Sequence, residues 1–167
     1  MNRFMIVAVP ALVLGLATES QPQQLRQQVA GASQQGRVHR VRMLQQGSRY
    51  TFEPAGLRIQ PGDIVEFVNV SGFPHNVQFY PNRIPAGAAD VLNRNMTQRM
   101  GPVAGPMMTQ PNQTYRVSFA GAPQGTYDYF CLPHQAMGMI ATIIVGQPGG
   151  PGSTINTGEP TPAQVRP

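Results

Sequence analysis

The sequence predicts an all-β domain, a sandwich of about seven short strands. Three observations carry that expectation. The chain of 167 residues holds 18 glycines and 17 prolines, too many turn residues for long helices. Seven short runs, at 38–44, 50–59, 63–70, 75–80, 113–120, 125–131 and 139–145, are bounded by such residues. Several of these runs alternate with period two, the mark of a strand with one buried face.

The alternation assigns side chains to faces. In 75–80, His75 shares a face with Val77 and Phe79 and points inward. In 113–120, Tyr115, Val117 and Phe119 share a face, with Arg116 and Ser118 opposite. In 125–131, Tyr127, Tyr129 and Cys131 share a face, with Thr126, Asp128 and Phe130 opposite. Pro61-Gly62 and residues 123–125 supply turns. The segment 81–112 is long and rich in Pro, Gly and Met, and one short helix is expected near 88–94. Its Met96, Met100, Met107 and Met108 are expected to close one end of the sandwich.

The flanks read differently. Arg3 precedes an apolar, uncharged stretch at 4–17. That length suits the roughly 7–15 residues of an export signal and falls short of the ~20 of a membrane span. Residues 1–20 are therefore expected to be a signal peptide, with cleavage after Ala17 or after Ser20. Residues 21–36 are Gln-rich without an apolar period and read as a disordered linker. Residues 148–167 read as a disordered Pro/Gly-rich tail, which leaves 37–147 as the folded domain. The exported protein is expected in the periplasm or another extracytoplasmic space, with no stable membrane insertion once the signal is removed.

Charge and cysteine content exclude several functions. The net charge is +5, and all twelve basic residues are arginine. They are scattered singly, with no run of five or more, so nucleic acid is not an expected partner. His39, among Arg37, Arg40 and Arg42, reads as part of a solvated face. A single Cys excludes an internal disulfide, a four-Cys zinc site and a CxxC redox pair. Three His are too few for a multinuclear catalytic copper centre, and no Gly-x-Ser-x-Gly elbow is present. No enzymatic activity is expected. Nothing demands an oligomer, so a monomer is expected.

One constellation carries chemistry. Cys131, His134 and Met139 form a Cys-x2-His-x4-Met pattern, and His75 lies upstream in Ser71-Gly-Phe-Pro-His75-Asn76-Val77. A lone thiol in an oxidising compartment is a liability unless buried or ligated. A thiolate, two imidazoles and a weak axial thioether make a trigonal blue-copper set. The sulfur donors suit Cu(I), and the imidazoles suit both oxidation states. In this reading Cys131 ends a strand, His134 lies on the loop at the tip, and Met139 starts the next strand.

Residues 68–77 and the run Gly125-Thr-Tyr-Asp-Tyr-Phe-Cys131-Leu-Pro-His134-Gln-Ala-Met-Gly-Met139 resemble the cupredoxins, the type 1 blue copper proteins, and plastocyanin among them. Ile84-Pro-Ala-Gly87 resembles a plastocyanin segment, and 134–146 resembles pseudoazurin as much as plastocyanin. The resemblance covers roughly 37–147. It implies a Greek-key β-sandwich of about eight strands holding one copper ion, Cu(I)/Cu(II). The implied metal ligands are His75, Cys131, His134 and axial Met139, the family spacing choosing Met139 over Met137. Asn76 is implied to tie the two ligand loops together and to aim its backbone N–H at the Cys131 sulfur. The implied function is shuttling single electrons between redox proteins, such as a c-type cytochrome or a membrane electron-transfer complex. The alternative is a periplasmic copper storage or delivery protein, supported only by the Met-rich segment. Three features depart from the family pattern. The His75–Cys131 separation is long, Phe130 stands where plant plastocyanins place a Tyr, and the charge is basic rather than acidic. Met137, Leu132, Pro133, Ala136, Gly72, Phe73 and Pro74 are expected to form an apolar ring around the His134 edge, suited to brief docking.

Overall fold

A computed structural model describes residues 36–152. The expected signal peptide at 1–20 lies outside the described residues, as do the linker except residue 36 and the tail beyond residue 152. The eight strands are β1 (Val38–Gln46), β2 (Arg49–Glu53), β3 (Gly56–Ile59), β4 (Ile64–Asn69), β5 (Gln78–Phe79), β6 (Gln113–Ser118), β7 (Gly125–Phe130) and β8 (Ile140–Val145). One helix, α1 (Ala88–Asn95), falls where a helix is expected. Among the described residues no helix is long and apolar enough to cross a membrane.

The strands form two four-stranded sheets, ordered β2-β1-β4-β6 and β3-β8-β7-β5. Pairing is antiparallel except for β1 with β4 and β3 with β8. The expected sandwich is therefore present, and its inner faces meet in an aromatic core. Phe52 and Phe67 pack edge-on against Tyr129, with ring centroids 4.7 and 5.5 Å away. Phe79, Phe119 and Tyr127 continue the set. Such edge-to-face pairs add to what area burial alone supplies.

Two runs behave differently from the sequence reading. The run 50–59 is not one strand but two, β2 and β3, which lie in different sheets. Pro54 sits at the break, where its missing N–H and fixed φ end one ladder. The run 75–80 keeps only two residues in strand β5. The backbone from 75 to 79 bonds instead to the returning limb of the long segment. His75 N–H donates to Met108 O (3.0 Å) and Met108 N–H to His75 O (2.7 Å). Gly105 N–H donates to Val77 O (2.8 Å) and Phe79 N–H to Val103 O (3.0 Å). The long segment thus covers an edge that would otherwise expose unpaired backbone groups. Met96 and Met108 are buried in the core, whereas Met100 is exposed.

β7 is buried on both faces rather than on one. Asp128, on the outer side, accepts a hydrogen bond from the Thr142 hydroxyl (2.7 Å) and pairs with Arg83. Phe130 packs against the Tyr80 ring at 4.3 Å. Beyond β8, Gly149 exchanges hydrogen bonds with Thr126.

The polar face of the first sheet is tied together by charge. Arg40, Glu66 and Arg116 stand in one row across β1, β4 and β6. The Glu66 carboxylate is buried and accepts from Arg40 (2.8 Å) and Arg116 (2.7 Å), whose guanidiniums stay mostly in water. His39 is not free on this face: its Nε2 lies 2.7 Å from Asp63 Oδ2. The Arg116 and Arg40 hydrogen bonds hold the Glu66 carboxyl below its ordinary value of 4.5. A depressed folded-state pKa adds stability above the unfolded value, and that stability is lost as pH falls through the folded value. Glu66→Gln is expected to cost about 1–2 kcal/mol near pH 7, the exposed arginines being resolvated. Urea unfolding of the metal-free protein checks this. The gap between variant and wild type should narrow at pH values well below 4.5.

Candidate metal centre

One end of the sandwich carries the site. Cys131 directly follows β7, so the inward alternation of Tyr127 and Tyr129 extends to its fully buried sulfur. The chain then turns through a short 3-10 helix, Leu132–Met137, with Pro133 in its first turn, where a missing N–H costs nothing. His134 lies on this turn. Gly138 ends it at φ +82°, a left-handed conformation that glycine adopts without steric cost. Cys131 N–H donates to Met139 O (3.1 Å) and Met139 N–H to His134 O (3.1 Å). These bonds close the loop and hold the Met139 backbone beside both residues. Met139 is fully buried; Met137 is 54% exposed.

His75 arrives from the other loop, and its side chain is fully buried. Its Nε2 lies 3.0 Å from Ser71 Oγ. An Nε2–H donated to that oxygen leaves the Nδ1 lone pair facing inward. Cys131 Sγ lies 3.5 Å from His75 Nδ1 and 3.4 Å from His134 Nδ1, and the two nitrogens are 3.2 Å apart. A triangle with these sides has its equidistant point about 1.9 Å from each corner. That is close to the roughly 2.0–2.3 Å of metal bonds to nitrogen and sulfur. The three donors therefore fit a single ion in a trigonal plane, and their softness fits copper.

Electrostatics matches this geometry. Burial pushes the Cys131 thiol up to about 11, although the backbone N–H groups of Asn76 and His134 bond its sulfur and pull it partly back. Burial, with the neighbouring His134, holds His75 down to about 4. Burial also lowers His134. Without metal the cluster is neutral at pH 7, and a cation must displace the thiol proton to bind. Asn76 does tie the loops together: its Oδ1 accepts the Leu132 N–H at 2.7 Å.

The sequence reading missed Tyr50. Its ring stacks on the His134 imidazole, with centroids 3.8 Å apart and planes 11° from parallel. It also stands edge-on to His75 at 6.3 Å. Tyr50 and Phe52 share a face by strand alternation, and Phe52 is a core residue. That signal predicts an inward Tyr50 but not what it touches. Around the site, Phe73, Leu132 and Met137 are each about half exposed, with Pro74, Pro133 and Ala136 also at the surface.

A two-sheet sandwich with a buried His–Cys–His cluster at one end defines the class of blue-copper β-sandwich proteins. The chain belongs to the plastocyanin/azurin family of copper binding proteins, whose pattern matches residues 39–146. It is 40% identical over 95 residues to the chloroplastic plastocyanin of Chlamydomonas reinhardtii, covering 56% of this chain and 57% of that one. The plastocyanin of a Synechococcus strain is 33% identical over 105 residues, covering 63% of this chain and 71% of that one. Among solved structures, the pseudoazurin of Methylobacterium extorquens AM1 superposes with a TM-score of 0.53 at 25% identity, covering 76% of this chain and 90% of that one. The chain spans 57% of the length of the chloroplastic plastocyanins of Chlamydomonas reinhardtii and Tetradesmus obliquus.

Proposed function

We propose that this chain is a small exported electron carrier in which His75, Cys131, His134 and Met139 would hold one copper ion. The observation that carries the reading is the mutual approach of one sulfur and two nitrogens within 3.2–3.5 Å among buried side chains. Bound copper supplies a one-electron couple between Cu(I) and Cu(II). The protein's part is to keep the donors still. Ser71 fixes the His75 ring, Asn76 fixes the start of the 3-10 turn, and the Cys131–Met139 backbone bonds fix its end. Donors already in place lower the rearrangement that accompanies gain or loss of an electron. The burial of Met139 and the exposure of Met137 support Met139 over Met137 as the fourth donor.

The burial of all three donors favours a carrier over an enzyme. Its partners are redox proteins, a c-type cytochrome or a membrane electron-transfer complex. The half-exposed Phe73, Leu132 and Met137 give them an apolar rim, suited to the small interfaces of transient redox encounters. We assign the copper domain to 37–147, supported by the family match over 39–146. Residues 1–20 are assigned as an export signal, 21–36 as a linker and 148–167 as a tail. This places the carrier in the periplasm or an equivalent space. Voltammetry of the copper-loaded protein tests the reading. A reversible one-electron wave is expected; a protein that binds copper but gives no reversible wave is not a carrier.

A further inference from the structure

We propose that Tyr50 is a positioning residue for this centre. Its ring holds the His134 imidazole with Nδ1 aimed at Cys131 and His75 before any metal arrives. The inference rests on the ligand assignment above.

The two imidazoles are held in different ways. His75 is fully buried and has Ser71 on its Nε2. His134 is carried by an exposed turn whose Leu132, Pro133 and Ala136 face solvent. Among the described residues no protein hydrogen bond fixes its Nε2. The imidazole itself is buried, so its orientation is set by the surface packed against it. Tyr50 supplies that surface at 3.8 Å, nearly parallel.

Tyr50 is itself well anchored. It lies in β2 opposite Gln45 of β1, two residues past the Gly47-Ser48 turn. Gly47 takes φ +60°, so the hairpin reverses tightly there. The Gln45 side-chain amide donates to Gly47 O (3.0 Å) and to the Tyr50 hydroxyl (3.2 Å). The same ring meets His75 edge-on, so one side chain touches two of the three donors in the plane. A residue of strand β2 thereby orders the ring that the turn carries. Ordering before binding removes an entropic cost from metal capture.

The test compares Cu(I) affinity, by competition with a calibrated chelator, for wild type, Tyr50→Leu and Tyr50→Phe in the full chain. Tyr50→Leu should bind Cu(I) about 3- to 10-fold more weakly, the scale of one stacked aromatic pair. Tyr50→Phe keeps the ring and should stay within about twofold of wild type. Equal affinity in wild type and Tyr50→Leu, with the visible Cu(II) band intact in both, overturns the positioning role and leaves the ligand assignment standing. A wild-type protein that gives no thiolate–copper band overturns the ligand assignment instead, and the inference with it. Proton NMR of the metal-free wild type is a second test that needs no variant. The carbon-bound imidazole protons of His134 should be shifted upfield by the Tyr50 ring current. Protons at ordinary free-imidazole positions overturn the proposal even if Tyr50→Leu does not fold.

Discussion

Cys131→Ser abolishes the intense visible band that Cu(II) is expected to give with the wild-type protein, and weakens copper binding by at least about 100-fold. The chain has one cysteine, so no second thiolate can take its place. A serine hydroxyl is a hard donor that keeps its proton near neutral pH, and two imidazoles alone leave the trigonal plane with a missing corner. The loss should far exceed what packing accounts for, because Ser is close to Cys in volume. Spectra and copper titrations of the two proteins side by side check this. A band surviving in Cys131→Ser would remove the sulfur from the ligand set.

Phe79→Ala has the largest expected effect on stability, a loss of about 3–5 kcal/mol. Phe79 is fully buried among the rings of Phe119, Tyr127 and Tyr129. It is also one of only two residues of β5 paired with β7. Truncation leaves a cavity and loosens the strand that leads back to His75. Small domains are stable by only about 5–15 kcal/mol, so the metal-free variant should be close to unfolding. Copper binds only the folded chain with high affinity, so loading should restore part of the loss. Urea unfolding with and without copper measures both effects.

The fold was legible to the extent that it is local. Alternation around Tyr115, Val117 and Phe119, and around Tyr127 and Tyr129, located β6 and β7 and assigned their inner faces correctly. Alternation does not reveal a partner, however. Nothing local in 50–59 says that β2 pairs with β1 while β3 pairs with β8, so the division at Pro54 reads as a continuous run. The shortening of the 75–80 strand has the same origin. Its backbone partners come from 103–108, in a segment whose sequence reads as loop. The outer face of β7 was equally opaque, because Arg83, Tyr80 and Thr142 come from other parts of the chain.

The candidate site divides along the same line. Cys131, His134 and Met139 lie within one loop, so their spacing in the sequence carries their relation in space. His75 came into view through the donor set that a blue-copper centre requires and through the resemblance of its flanking residues. Tyr50 had no such marker. Its place in the site depends on how the β1–β2 hairpin lies over the 3-10 turn, which is a tertiary contact.

A carrier keeps its copper while the electron moves. The most direct measurement follows the visible spectrum of the Cu(II)-loaded protein through reduction by ascorbate and reoxidation, with a Cu(I) chelator present throughout. The band is expected to bleach on reduction and return in full, while the chelator stays metal-free. A band that fails to return, with the copper found on the chelator, would contradict the carrier reading and point to copper delivery.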